Sequence, residues 1–369
     1  MMLAQSNPTL EPIYQMFSGP VTGFDEEIAR VIVNSHVADA LTKTANELAR
    51  QQLWFAPLVV QWQQQEHPLA DLWRPAFASL EEKTQRGVIE DNDLIAAALA
   101  MHESISPRSW QSAATGDNHF RLHGHSLPPC AHIRWDCDQV PPRLYCDGKP
   151  ISSNDCKGAN HSPVFEFEIY PDTSTLHADF PVSSTGWNQS SVWSEAIDLL
   201  HRTSPEYAQW ACRLVNTIVP LDAPRGHQIS ASHRHRRGEV LMSWDLSPSQ
   251  LAENLVHEAS HQHFFMATML GDCDDGTDRT LYFSPVVKTE RPLSKILLAY
   301  HAFANVILFF RQARDLLPVA ERNEVDFSSK KIMDELELLE RPLRESSSLT
   351  ILGQQLWCPL AAQLKETNA

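Results

Sequence analysis

Between Pro292 and Leu317 the chain carries a helical stretch that is apolar on almost every side: Leu293, Ile296, Leu297, Leu298, Tyr300, Phe303, Val306, Ile307, Phe309 and Phe310. A helix with no polar face has to be surrounded by other elements. That requirement excludes a small module. A chain of 369 residues meets it with one large domain or two ordinary ones, and can bury roughly three quarters of its unfolded surface. It needs neither disulfides nor a metal merely to fold. Inside the stretch, Ser294, His301, Asn305 and Gln312 share one helical face. A buried polar stripe needs partners.

The other strong helix spans 248–270 and holds the pattern with the most chemical content, Leu255-Val256-His257-Glu258-Ala259-Ser260-His261. Its start is marked by Ser247 as an N-cap, Pro248 at the first helical position and Gln250 three residues after the cap. Four residues of helix turn about 400°, so His257 and His261 stand one above the other and both can bind one metal ion. Glu258 is rotated about 100° from His257, where it can act as a base toward water or steady the site. His263 points about 200° away from His261 and is a poor ligand. A metal needs at least one more protein donor. The metzincin continuation requires a histidine where Ala267 stands, so that pattern fails. His301 on the buried helix is the first candidate for the third position, with Glu290, Asp272, Asp274 and Asp275 as rivals and a hydrogen-bonded core histidine as the alternative.

The remaining chain divides by character. Residues 1–105 form a helical region: Phe24, Ile28, Val31 and Ile32 fall on one helical face, Leu41, Ala45, Leu48 and Ala49 on another, and Asp93–Met101 is a further run. Residues 106–190 are rich in Pro, Asn, Asp and Ser, with short alternating runs such as His132–Trp135 and Phe165–Tyr170 that read as strands. Residues 191–369 hold the metal motif. Helices are expected at 192–200, 206–219 and 331–340, and a buried strand at 239–244. The expected fold is α+β: helix-rich, with a modest antiparallel sheet, a central H-E-x-x-H helix and a second buried helix.

Charge narrows the partners. Lys and Arg total 30 against 46 Asp and Glu, a net charge of −16. That argues against general nucleic-acid binding and against an anionic membrane surface, and it permits a basic peptide. The local exception is His233-Arg234-His235-Arg236-Arg237. No uninterrupted apolar segment reaches the length of a bilayer span, and the start lacks the pattern of a secretory signal. Seven cysteines, an odd number, fit a reduced cytoplasmic protein. Cys130, Cys137, Cys146 and Cys156 lack a C-x-x-C pair, which argues against a structural zinc site. His119, His123 and His125 alternate and would share one strand face.

From Tyr207 to about Phe310 the sequence resembles the HEXXH-motif peptide-modification proteins found beside ribosomal peptide natural-product genes. The resemblance rests on Trp210, Val219-Pro220, Ile229–Ser232, Gly238–Ser243, the H-E-x-x-H stretch, Arg291-Pro292-Leu293 and His301-Ala302-Phe303. It implies an iron(II)- and 2-oxoglutarate-dependent dioxygenase that β-hydroxylates a residue of a peptide, with or without a leader segment. His257 and His261 would hold iron, and His301 would complete the set. The distal carboxylate of 2-oxoglutarate calls for a fixed cation, best an Arg fork. Arg291 is the first candidate, ahead of Arg279 and Lys288. Ser230 and Ser232 alternate on an expected strand and could bind substrate. The motif alone also admits a zinc metallopeptidase, in which Glu258 is the general base.

Overall fold

The computed structural model describes residues 10–20, 23–48, 52–102, 109–114, 120–122, 125–127, 130–136, 143–151, 157–158, 168–169, 190–223 and 228–366. The N-terminal region is helical, running through α1 (Glu11–Gln15), α2 (Glu26–Glu47), α3 (Phe55–Gln63), α4 (Leu69–Leu72), α5 (Pro75–Arg86) and α6 (Asp91–His102). Asp25 caps α2 by accepting the Ile28 N–H, and Glu26 and Glu27 sit in its positive first turn. The buried face of α2 centres on Ala29, Val33, Val37 and Leu41. Val31, expected beside Ile28 and Ile32, lies about 200° from Val33 and is exposed.

Short strands follow: β1 (Trp110–Ala113), β2 (Arg121–Leu122), β3 (His125–Ser126), β4 (His132–Asp136), β5 (Arg143–Cys146), β6 (Lys149–Pro150), β7 (Lys157–Gly158) and β8 (Glu168–Ile169). Two antiparallel sheets form, in the orders β1-β4-β5-β6 and β2-β3-β7. The β5–β6 hairpin turns on Asp147-Gly148, both at positive φ. Phe165–Phe167 and Tyr170 of the alternating run lie outside the described residues, as do Cys137, Cys156, His119 and His123.

The last region contains α7 (Ser190–Thr203), α8 (Pro205–Leu214), β9 (Thr217–Leu221), β10 (Ser230–Ser232), β11 (Glu239–Ser243), α9 (Pro248–Ala267), β12 (Tyr282–Ser284), β13 (Thr289–Arg291), α10 (Leu293–Ala313), α11 (Val319–Glu345) and α12 (Ile351–Glu366). The helix expected over 206–219 stops at Leu214, and the β-branched Thr217, Ile218 and Val219 enter a fully buried strand instead. The sheet order is β10-β11-β9-β8, with β10 antiparallel to β11 and both β11–β9 and β9–β8 parallel. The sheet beside the motif is therefore mixed rather than antiparallel.

α10 packs between α9, α11 and α12. With its 3-10 extension it reaches Leu316, long and apolar enough by composition to cross a bilayer, but 72% of its most apolar window is buried inside the fold. Of its polar stripe, His301 and Asn305 are buried and find protein partners, Ser294 is half-buried and Gln312 is exposed. Asn305 donates to the Ser18 and His301 carbonyls, both at 2.9 Å, and accepts from the Tyr207 hydroxyl at 3.0 Å. One buried cluster runs from Met16 to Leu364 and includes side chains of all three regions.

Candidate metal centre

α9 begins as its sequence requires. The Ser247 hydroxyl accepts the Gln250 N–H, and the Gln250 side chain accepts the Ser247 N–H at 3.0 Å, a complete capping box ahead of Pro248. Two turns further in, the His257 and His261 rings stand 4.7 Å apart and nearly perpendicular. One ligand atom from each of His257, Glu258 and His261 lies within 4.8 Å of the others. Among the described residues this is the one such group.

Its walls are apolar. The His257 ring meets Phe303 of α10 at 4.9 Å, and the His261 ring lies over Phe265 at 6.2 Å. Burial holds the His257 imidazole down at about 4. His261 is pushed well below its ordinary value, first by burial and then by the neighbouring His257, His301 and Lys295. Both rings are therefore neutral near pH 7, the form that binds metals. Glu258 faces β10. Burial raises its carboxyl to about 7, opposed by hydrogen bonds from the Ser230 and Ser232 hydroxyls. Glu258 Oε2 and His261 Nδ1 are buried without a protein partner. Orphaned lone pairs in a dry site are costly, and a divalent cation would satisfy such donors. The residues present fit a metal with mixed nitrogen and oxygen ligation.

The same helix is clasped to the sheet one residue beyond the motif. Gln262 Oε1 accepts from Trp73 Nε1 at 3.1 Å and from the Gly238 N–H at 2.9 Å, and its amide donates to the Glu239 carbonyl at 3.2 Å. Gly238 sits at φ +76°, and a Cβ there would stand 2.6 Å from the Trp73 carbonyl oxygen. Only glycine allows that approach. The clasp fixes the β10–β11 turn, and hence Ser230 and Ser232, against α9.

His301 is not brought into the group. Its Nε2 donates to the Phe17 carbonyl at 2.8 Å, while Nδ1 is buried without a partner. Phe303, two residues on, is the α10 side chain that meets His257. His263 is fully buried on the opposite face of α9, stacked on Trp210 at 3.9 Å and bonded to the Trp210 carbonyl at 2.9 Å. Glu290 is exposed on β13. Asp274 and Asp275 serve their own turn, accepting from Gly276 and Thr277. Arg291 closes β13 opposite Tyr282, while Arg279 and Lys288 are exposed on the surrounding loops. Lys295, one turn after Arg291, escapes the sequence reading; it acts on His261 and is itself lowered first by burial, then by Arg291 and by Arg234 of the basic run 233–237.

No protein-family model matches the chain, and comparison with curated protein sequences finds no relative.

Proposed function

We propose that the chain is an iron(II)- and 2-oxoglutarate-dependent hydroxylase acting on an unactivated carbon, Cβ by its resemblance, of a residue in a ribosomally made peptide. The observation that carries this reading is the donor set itself, two imidazoles and one carboxylate within 4.8 Å. Two histidines and a carboxylate with open positions suit non-haem iron(II) oxygenases. Iron(II) together with a 2-oxo acid supplies the oxidising power to break an unactivated C–H bond. The chain's own residues do the rest. His257 and His261 hold the ion, Ser230 and Ser232 orient Glu258, and the rings of Phe303 and Phe265 pack against the two imidazoles. Among the described residues β10 is the edge of its sheet, so an extended peptide has a strand to pair with beside the centre.

A second reading is a zinc metallopeptidase. It is favoured by the Glu258 carboxyl, which at about 7 is matched to general-base work.

Parallel anaerobic loading with iron(II) or zinc(II), followed by assay of 2-oxoglutarate conversion to succinate in air, separates the two. Succinate with iron, none with zinc, and loss in His257→Ala are the expected results. No succinate with iron, together with Glu258-dependent cleavage of a peptide library by the zinc form, would overturn the hydroxylase.

A further inference from the structure

Every residue of α9 is buried except Pro248, Gln250, Glu253, His257 and His261. At about 100° per residue, the last four fall within an arc of about 80°. The helix therefore opens along one stripe, and that stripe carries both imidazoles. Glu253 stands on it one turn before His257, about 6 Å along the axis. It is the one carboxylate of the stripe, because Glu258 is turned toward β10. Burial raises the Glu253 carboxyl, opposed by hydrogen bonds from Gln228 and from Ser328 of α11 and, last, by the charge of Lys331. Lys331 is exposed and paired with Glu335 at 4.0 Å. Among the described residues, no cation stands within ion-pair distance of Glu253. A half-buried carboxylate held by neutral donors is incompletely compensated, and a cation carried by a ligand would complete it. The net charge of −16 favours the approach of such a ligand.

The strand that a peptide would pair with advances along the same helix. Gln228, two residues ahead of β10, donates to Asn254 at 2.7 Å and reaches Glu253, while Ser230 and Ser232 reach Glu258. Two residues of strand advance about 6.6–6.8 Å, and four residues of helix about 6 Å. Alternate side chains of a strand share a face. A peptide paired with β10 that presents one side chain at His257 therefore presents the side chain two residues away at Glu253.

We infer that Glu253 is a specificity-determining residue: it binds a Lys or Arg side chain of the peptide, two residues from the one presented at the metal centre. The inference rests on the reading of that centre as one that acts on a peptide. It adds the class of peptide, one with a basic residue at a fixed offset from the reacting residue. It also gives a role to a carboxylate that lies outside the H-E-x-x-H pattern.

The test offers a library of randomised short peptides to the immobilised full chain, loaded with manganese(II) as a redox-silent stand-in, and sequences the retained pool. Glu253→Gln removes the charge and keeps the shape. Glu324→Gln, at an exposed carboxylate of α11, controls for attraction to the acidic surface at large. Both variants are checked for thermal midpoint and manganese affinity. The expected result is enrichment of Lys and Arg by about threefold or more in wild type, kept in Glu324→Gln and lost in Glu253→Gln with manganese affinity unchanged. With iron(II), 2-oxoglutarate and air, tandem mass spectrometry of the same library should find the basic residue two positions from the one that gains oxygen. No enrichment in wild type, enrichment unchanged in Glu253→Gln, equal loss in Glu324→Gln, or oxygen gained at no fixed offset from the basic residue would overturn the inference. A lower thermal midpoint in Glu253→Gln with an unchanged pool would assign the carboxylate to the fold instead. Failure of the hydroxylase reading shows separately, as a Glu253-dependent pool with no succinate formed; the basic-residue subsite then stands and serves another peptide chemistry. Failure of the metal reading shows as manganese affinity unchanged in His257→Ala.

Discussion

Arg237 offers a perturbation whose size follows from its surroundings. Its guanidinium is only 5% exposed and lies 2.5 Å from the Glu81 carboxylate of α5, over the Trp73 ring at 5.4 Å. His36 approaches the same carboxylate at 3.8 Å, with its other nitrogen donating to the Met269 carbonyl just beyond α9. Burial by itself would raise the Glu81 carboxyl; the His36 hydrogen bond and the charge of Arg237 overcome it and bring the group down to about 2. Relative to an ordinary value of 4.5, that shift corresponds to about 3 kcal/mol of native-state stabilisation at neutral pH. Arg237→Met removes the larger charge and leaves a mostly buried carboxylate, so a loss of about 3 kcal/mol is expected, at the low end for a broken buried pair because His36 remains. With an unfolding entropy of about 2.1 cal/mol/K per residue, the thermal midpoint should fall by about 4 °C. The sign with pH is fixed. A carboxylate depressed in the fold stabilises above its unfolded value and loses that contribution as pH falls toward its folded value. The gap between wild type and variant should therefore narrow as pH is lowered from about 5 toward 3. Thermal and urea unfolding at neutral and acidic pH measure both effects. Glu81→Gln combined with Arg237→Met should recover at least half of the loss. A midpoint within 1 °C of wild type, or a gap that does not change with pH, refutes the argument.

Gly238→Ala forces a Cβ to within 2.6 Å of the Trp73 carbonyl at φ +76°, so a loss of about 2 kcal/mol or more is expected in urea unfolding. An unchanged midpoint would mean the turn can shift freely. His301→Gln should keep metal affinity, measured against a chelator, while lowering stability through the altered contact to Phe17; metal loss with stability unchanged would bring His301 into the ligand set. Glu258→Gln separates the two chemistries: the peptidase loses about 10²- to 10⁴-fold in turnover with metal retained, whereas a carboxylate ligand of iron loses metal affinity first. Iron content and turnover on the same preparation decide between them.

The parts of the fold legible in the sequence were those with strong local signals. Ser247, Pro248 and Gln250 start α9 where the capping pattern puts the start, and the all-round apolar run becomes the buried α10. Thr217–Val219 read as the end of the α8 helix because Ile218 and Val219 continue its apolar run, and only pairing with β11 makes them strand. α11 is 27 residues rather than the ten expected, since its buried stripe of Val325, Ile332, Leu336, Leu339 and Leu343 is sparse among charged residues. α12 was not expected at all, with Pro359 inside it. The histidine pair was legible because one helix carries both ligands. The orientation of His301 was not, because it depends on the Phe17 carbonyl, 284 positions away in sequence.

β10 is three residues long and, among the described residues, pairs on one side only. Its two serines serve Glu258 because alternate strand residues share a face. A slip of one residue would present the Ala231 methyl in their place, leaving the carboxyl at the metal centre without hydroxyl donors. Chain length is thus constrained unequally around the centre. Insertions in the exposed Val286–Lys288 turn of the β12–β13 hairpin leave the donor geometry intact. A single residue added between β10 and the Gly238 clasp changes which atoms Glu258 meets. Length variation in natural or engineered versions of this chain should collect at the first place and be absent from the second.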